Sequence, residues 1–433
     1  MNPLGVLCLV ACLAGAVLAS PTQYHSNSNS YKSYNSNSLK PSQWLKASEL
    51  EHTPSMDEVS FEQLEKMPLE QGAELMRKYY HLTQAGRGVA PEYVPTPSQI
   101  PVHIYSNGRK ETTDLSRYVQ TAKNMPKFGD DEVTIFITGL PQSLESVKEA
   151  NKDFIEAYLE RCSQQPHAYA QWNAGEERRN WEDQKQQGRS LIVIDLGNTI
   201  TDVKRYASLD VERCGEMFGK TFVELSEECD VPAEIIHVVG QGVGANVAGV
   251  AGQKYYDETS EKFHRITALD PAVQMAKDSH ILTGLARSDA EFVDAIHTSA
   301  LGLGTTRRVG DLDFFPEGPS AGSRNADNVV EASMLATHYY AESVRPGNEH
   351  NFPAREANSM AEYKNKESYG KRAYMGIAAD RDLSGDFMLE VNPQSPYGKR
   401  TPAHNIKAYH SNTKSYQIGQ NQQKHLYAPL ALY

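Results

Sequence analysis

Cysteine is scarce in this chain of 433 residues, which contains five. Cys8 and Cys12 lie in the first 19 residues, so Cys162, Cys214 and Cys229 remain in the rest of the chain. An odd number leaves at least one thiol free or paired between chains. The segment between Cys214 and Cys229 is predicted to be largely helical, which would hold these two too far apart to bond. The pairing of the three stays open, and buried, inert thiols are the simplest interpretation.

The chain also lacks an excess of basic residues, and no N-glycosylation sequon follows residue 19. The 55 acidic residues outnumber the 43 basic ones, the formal charge is −12 at pH 7, and the mean hydropathy is −0.57. Nucleic acids bind basic surfaces, so this balance argues against a nucleic-acid partner. It suits a protein that stays soluble at high concentration.

Long apolar runs are confined to the start of the chain. Residues 1–19 read MNPLGVLCLVACLAGAVLA, a short apolar stretch with small residues at positions 17 and 19. This pattern predicts a secretory signal peptide, with a membrane anchor as the alternative. No later run reaches the roughly 18 apolar residues of a transmembrane helix, so we expect no transmembrane segment.

The rest of the chain divides into an extension, a core domain and a tail. Residues 20–100 begin with a stretch rich in Ser, Asn and Tyr, which predicts disorder, and continue with helix-period patterning broken at Pro68, which predicts two short helices. Residues 101–395 form the predicted domain, with a charged, Gln-rich insertion near 156–190. The polar tail, 396–433, is predicted to be flexible.

Apolar strands and helical stretches alternate through the core domain. Continuous apolar runs of this kind are typical of a parallel sheet buried on both faces. The pattern therefore predicts an α/β fold with a doubly wound, mostly parallel sheet. The strand candidates are 134–140, 191–197, 235–240, 265–270 and 292–298, and the helix candidates are 143–160, 203–229, 243–257 and 326–345.

A glycine-rich turn in IIHVVGQGVGANVAGVAG (235–252) has the layout of a nucleophile elbow, G-x-S-x-G, of an α/β-hydrolase. Gly242 occupies the serine position, and it would relieve backbone strain of about 1–3 kcal/mol there. A dinucleotide-binding loop is the alternative, but the G-x-G-x-x-G spacing is absent. A literal G-x-S-x-G at 318–322, with Ser320, follows Pro316 rather than a long strand, and we interpret it as a loop.

Besides the elbow, four further segments match one known pattern in chain order: RITALDPA (265–272), FVDAIHTS (292–299), VGDLDFFPEG (309–318) and YMGIAADRDLSGDFMLEVN (374–392). With the elbow and these segments the chain resembles the animal lipase family, which includes pancreatic and lipoprotein lipases and insect phospholipases. The resemblance implies the α/β-hydrolase fold. It assigns Gly242 to the nucleophile position, Asp270 to the triad aspartate, and Ser333 to the triad histidine position. It also assigns the backbone donors of a vestigial oxyanion region to Leu140 and Val243.

Other departures from the lipase pattern agree with a loss of catalysis. His338 lies more than one helical turn beyond the histidine position, and His297, at the end of a strand, is interpreted as a packed histidine. The cysteines that bracket the family's lid are absent, and no C-terminal β-sandwich follows. Triad members act as a unit, so losing the serine or the histidine alone costs about 10⁶ in kcat. We expect no catalytic residue, no metal and no cofactor.

The signal peptide, the Ser/Asn/Tyr-rich start and the glycine at the serine position are similar to those of the yolk proteins, or vitellogenins, of higher flies. This resemblance implies a secreted storage protein, found in haemolymph and then in yolk granules of the oocyte, that feeds the embryo and is not an enzyme. It also implies an oocyte endocytic receptor, a homo-oligomer, and lipid or steroid conjugates as possible ligands. The alternative function is a weak secreted esterase.

Overall fold

A mixed sheet of eleven strands runs through the molecule, with helices on both of its faces. The computed structural model describes residues 50–83, 89–163, 189–275, 284–300, 302–319, 325–365 and 369–399. The predicted signal peptide, the Ser/Asn/Tyr-rich stretch, Ser320, most of the insertion near 156–190 and nearly all of the polar tail lie outside these residues.

The strands follow one another along the chain as β1 to β11. Their bounds are Pro101–Ser106, Arg109–Asp114, Val133–Ile137, Ser190–Ile194, Ile236–Gln241, Arg265–Leu269, Val293–Ile296, Leu312–Pro316, Pro353–Glu356, Arg372–Tyr374 and Gly385–Leu389. In space their order is β10-β9-β11-β8-β7-β6-β5-β3-β4-β1-β2. The strands from β11 to β4 in this order are mutually parallel, and antiparallel pairs flank them on both sides. This arrangement confirms the predicted α/β-hydrolase class.

The helices are numbered α1 to α9. Their bounds are Phe61–Lys66, Leu69–Leu82, Tyr118–Lys123, Glu145–Ser163, Val203–Ser208, Val211–Cys229, Val243–Thr259, Val329–Val344 and Met360–Lys364. Short 3₁₀ turns lie at Met56–Glu58, Pro97–Gln99, Leu196–Thr199, Ala233–Ile235 and Arg287–Asp289. Helices α4 and α8 pack together, as do α6 and α7, with α3 beside α6.

The core consists of two large apolar clusters. One contains residues of α3, α6 and α7, including Phe218 and Phe222, and the other contains residues of α4 and α8, including Phe154 and Tyr340. Every residue of β3 to β8 is buried. Burial of both sheet faces by helices is the reason that the predicted parallel strands are almost continuously apolar.

The helix predicted over 203–229 is two helices. α5 ends at Ser208, and the side chain of Asp210 then accepts a hydrogen bond from the Arg213 backbone amide at 3.0 Å, which caps the start of α6. An aspartate in this position satisfies an otherwise unpaired helix amide. A new helix therefore begins after Asp210, whereas the apolar pattern alone predicts one continuous helix across this position.

The three cysteines in the described residues are all free. Cys214 is buried, and burial raises the pKa of its thiol to about 12. Cys162 and Cys229 are only partly buried, so the expectation of buried thiols is right for Cys214 and wrong for these two. Cys214 and Cys229 lie near the two ends of α6, as the predicted helix between them requires.

Candidate functional site

The turn between β5 and α7 keeps the backbone of a nucleophile elbow. Gly242 lies between the two elements with φ 57° and ψ −121°. Its amide donates to the Leu269 carbonyl at 2.9 Å, and its carbonyl accepts from the Ala272 amide at 3.1 Å. A Cβ atom at Gly242 would lie 4.0 Å from its nearest neighbour, the Gly139 Cα. The turn therefore has room for a side chain, but its positive φ strains any residue other than glycine.

Asp270 lies just beyond β6 and is 1% exposed. Its carboxylate accepts hydrogen bonds from the backbone amides of Thr298 and Ser299, each at 2.9 Å. The hydroxyls of Ser299 and Ser333 donate to it as well. Burial raises the pKa of Asp270, and these four donors oppose that shift without cancelling it. The carboxylate is thus held by neutral donors alone.

Ser333 contacts Asp270 from α8. Its hydroxyl oxygen lies 2.6 Å from Asp270 Oδ2, and the residue is 2% exposed. A triad histidine must reach the aspartate in the same way, because the aspartate orients the imidazole. A serine hydroxyl in that place can donate to Asp270 but cannot serve as a general base near neutral pH. The contact brings two of the three predicted triad positions together.

Leu140 and Val243, the predicted oxyanion positions, are 1% and 4% exposed. Val243 follows the Gly242 turn directly, and a Cβ atom on Gly139 would lie 3.1 Å from the Val243 nitrogen. The Gly139 amide donates to the Gln241 side-chain oxygen at 3.3 Å. The two predicted positions therefore flank one packed region around Gly139, and their role as vestigial donors stays a prediction.

Two histidines have partners of their own. His338 Nδ1 lies 2.7 Å from an Asp153 carboxylate oxygen on α4. His297 is 3% exposed, with Nδ1 2.8 Å from the Thr305 carbonyl oxygen and Nε2 2.9 Å from Asp313 Oδ1. Burial opposes protonation of His297, but the hydrogen bond to Asp313, the charge of Asp313 and the Thr305 carbonyl together outweigh it and raise the pKa. Neither ring is hydrogen-bonded to Asp270, so neither makes the contact that a triad histidine makes with its aspartate.

The sequence did not indicate where the N-terminal helices lie. Residues 56–82, here named the cap segment, contact loops that follow the carboxyl ends of parallel strands, the edge of the sheet where Gly242 and Asp270 lie. Glu65 accepts from the Ser146 amide at 2.9 Å, at the start of α4. The Leu69 amide donates to the Asp327 carbonyl at 2.8 Å, just before α8.

One contact of the cap segment leads towards Asp270. The Phe61 ring packs edge-on against the Tyr206 ring at 5.6 Å between centroids, and both residues are buried. The Tyr206 hydroxyl donates to the Leu303 carbonyl at 3.4 Å. The next residue, Gly304, packs so closely on Asp270 that a Cβ atom there would lie 2.3 Å from a carboxylate oxygen. The helix periodicity of the segment was visible in the sequence, but its docking place depends on contacts between distant residues.

Two surface clefts, of 390 and 310 Å³, lie away from this edge. Arg109, Glu111 and α3 residues line the first, and Glu132, His237 and Arg265 line the second. Within the described residues, His, Cys, Asp and Glu side chains form no group of three that could hold a metal ion. No helix in the described ranges has the length and apolar character that a membrane span requires.

Comparison with known proteins agrees with this geometry. A family model described as Lipase matches residues 106–397, so the cap segment precedes the matched region. The chain is 47% identical to Vitellogenin-1 of Ceratitis capitata over 98% of this chain and 99% of that protein. It is 47% identical to Vitellogenin-3 of Drosophila melanogaster and 44% identical to Vitellogenin-2 of Ceratitis capitata, in each case over 95% of this chain and 98% of the relative.

Proposed function

The chain belongs to the lipase family and, within it, to the vitellogenins of higher flies, and from this premise we propose that it is a secreted storage protein of the oocyte without lipase activity. It circulates in haemolymph, enters the oocyte, and is kept in yolk granules until the embryo digests it. Storage requires export, uptake and later proteolysis, and none of these steps needs a working active site.

The observation that carries the proposal is the Ser333–Asp270 hydrogen bond beside a nucleophile turn that holds only Gly242. No hydroxyl is present at residue 242 to attack an ester, and the residue that contacts Asp270 cannot accept a proton from one. Because serine and histidine act as a unit, losing both removes nearly all the rate that a triad supplies, about 10⁶-fold or more.

The cap segment supports the same conclusion. Its buried Phe61 packs on Tyr206, whose hydroxyl binds the loop that covers the Asp270 carboxylate. A lipase must admit an acyl chain at the carboxyl edge of its sheet, where the elbow presents the serine. Here part of that edge is occupied by the chain itself, because Phe61 of α1 packs on the buried Tyr206 there.

A hydrolysis assay tests the absence of activity. We expect the purified chain to hydrolyse triacylglycerol emulsions and short-chain p-nitrophenyl esters no faster than Asp270→Asn does. Turnover that Asp270→Asn abolishes would favour the alternative, a weak secreted esterase built on the retained aspartate and the oxyanion region.

Uptake is the second step to test, and it needs an oocyte endocytic receptor as partner. Fluorescently labelled protein should accumulate inside cultured oocytes, and an excess of unlabelled protein should reduce that accumulation. Labelled albumin, which serves as the control for bulk endocytosis, should enter far less. Equal entry of both proteins, unaffected by competitor, would contradict receptor-mediated uptake.

We also propose that lipid or steroid conjugates travel with the stored protein as ligands. The lipase fold supports this idea, and the cap segment packs at the same carboxyl edge of the sheet, on Tyr206 and at the start of α4. Solvent extraction of protein isolated from eggs, followed by mass spectrometry, should return a bound conjugate in stoichiometric amount. An extract containing only trace lipid would contradict this part of the proposal.

A further inference from the structure

The outer strand β2 has one neighbour, β1, among the described residues. The two strands are joined by Asn107 and Gly108, whose φ values of 50° and 72° are those of a type I′ hairpin turn. In such a turn the amide of Arg109 faces the carbonyl of Ser106. Backbone groups alternate along a strand, so those of Lys110, Thr112 and Asp114 face away from β1.

β2 reads RKETTD, and its first four residues are exposed. Charges on an edge strand commonly prevent pairing with other strands. Here the basic residues come first and the acidic residues follow, so an antiparallel copy of the same strand brings opposite charges together. The pattern is therefore complementary to itself.

Symmetry limits how two copies could pair. A two-fold axis through a continuous antiparallel sheet places one residue opposite its own counterpart. Two registers satisfy this condition and pair five residues of one copy with five of the other; one is centred on Glu111 and the other on Thr112. Centring on Glu111 places the two Glu111 carboxylates opposite each other, which is unfavourable. Centring on Thr112 pairs Lys110 of each copy with Asp114 of the other and leaves no like charges opposite.

The Thr112 register also uses the outward backbone groups. Lys110, Thr112 and Asp114 become the hydrogen-bonded positions, which face away from β1. The Asp114 carbonyl already accepts from the Arg117 amide at 3.0 Å, and its second lone pair would accept from the partner strand. Asp114 is held in place by the Ser116 amide at 3.0 Å and by the Arg117 side chain at 2.9 Å. The carboxylate that would receive a lysine is thus ordered before pairing.

A cleft runs beside the same strand. It measures 390 Å³ and lies between β2 and α3, with Arg109, Glu111 and Thr113 on one side and Gln120 and Thr121 on the other. These three β2 side chains share one face of the strand, as alternation requires. A second β2 strand would place its corresponding side chains along the rim of this cleft.

We propose that β2 is a self-docking edge, through which two copies of this chain pair antiparallel about Thr112 into one continuous sheet. The contact consists of one short strand and the cleft rim beside it, so the interface is small and the dimer is reversible. The dimer becomes populated at the high protein concentration of the proposed storage protein. The partner is a second copy because, in the antiparallel orientation, the basic start of one β2 strand lies opposite the acidic end of the other.

Disulfide trapping tests the register. Hydrogen-bonded residues directly opposite have Cα atoms about 5.5 Å apart, within the range of a disulfide, whereas residues offset by two positions are about 7–8 Å apart. In a glutathione redox buffer, Thr112→Cys should form a covalent dimer. Glu111→Cys and Thr113→Cys should each stay monomeric, and the double variant Glu111→Cys with Thr113→Cys should cross-link. The unmodified chain reports any background from its own cysteines.

Charge provides a second readout that does not depend on cysteine. Lys110→Glu should raise the dimer dissociation constant about tenfold in sedimentation equilibrium, and Lys110→Arg should leave it nearly unchanged. Circular dichroism checks that each variant is folded. A chain that is monomeric at millimolar concentration, or Glu111→Cys cross-linking as well as Thr112→Cys, would overturn the proposal.

Discussion

Gly242 occupies the position that the family resemblance predicts for the nucleophile, and its backbone geometry determines what a side chain there would cost. The turn keeps φ 57° and ψ −121°, and a side chain would meet no atom closer than 4.0 Å. The cost of a serine there is therefore backbone strain, not collision. In an active lipase the same strain is maintained by function, because it exposes the reactive hydroxyl.

We expect Gly242→Ser to lower the free energy of unfolding by about 1–3 kcal/mol, the usual cost of a strained positive-φ residue, and to restore no hydrolysis. The nearby Gly244→Ala should cost more, because its Cβ atom would lie 2.5 Å from the Ile137 carbonyl oxygen. Urea denaturation measures both. Equal losses for the two variants would show that the elbow has no spare room.

Asp289 gives a second prediction at this scale. It is 6% exposed and accepts from the Ala286 amide at 2.7 Å. Burial raises its pKa from the ordinary value of 3.8 to about 7, against the smaller effect of that hydrogen bond. A carboxyl with a raised folded pKa contributes stability below its unfolded pKa and loses it as pH rises through the folded value.

Asp289→Asn should therefore gain stability relative to the unaltered chain as pH rises from 4 to 7.5, by about 3 kcal/mol over that interval. Urea denaturation at several pH values measures the difference. The exposed Asp130→Asn serves as control and should follow the unaltered chain throughout. A constant difference between Asp289→Asn and the unaltered chain would contradict the account of this buried carboxyl.

At the scale of elements, the sequence predicts the two helices of the cap segment but does not predict where they dock. Pro68 divides the two helices as expected, and α1 and α2 begin and end on either side of it. Nothing in their periodicity says that they dock at the carboxyl edge of the sheet. That position depends on Phe61 meeting Tyr206 and Glu65 meeting the start of α4.

The strands show the same division. The five predicted strands are the central ones, β3 to β7. They could be predicted because every residue in them is buried, so their sequences are largely apolar. β2 has no apolar residue, and β10 has three residues, so neither carries a pattern that predicts a strand. Both segments form strands because each hydrogen-bonds to a neighbouring strand, β2 to β1 and β10 to β9. The Ser333–Asp270 contact was anticipated through family resemblance, since no local pattern joins residues so far apart.

The docking of the cap segment can be measured through Phe61. We expect Phe61→Ala to lower the free energy of unfolding by about 3–5 kcal/mol, because its ring is fully buried against Tyr206. Leu159→Ala, at a side chain that is 39% exposed on α4, should cost far less. Hydrogen exchange should show faster exchange over 61–82 in Phe61→Ala. Stability equal to that of the unaltered chain would mean that the segment is not firmly docked.

For the whole molecule, we propose that the lipase fold has been kept while the parts that lipolysis needs have been replaced. The sheet, the elbow and Asp270 remain, and they pack the core. On the predicted assignment Ser333 takes the histidine position and Gly242 the serine position, and α1 packs at the carboxyl edge of the sheet. As the storage protein that we propose, the chain would deliver amino acids, and the proposed self-docking edge would let copies pair as their concentration rises.

The most direct test of this account is the abundance of the intact chain in eggs, measured by quantitative mass spectrometry from laying to hatching. As a stored reserve, it should rank among the abundant egg proteins at laying and fall at least tenfold by hatching. A chain that is absent from eggs, or that stays at constant abundance until hatching, would contradict a storage function.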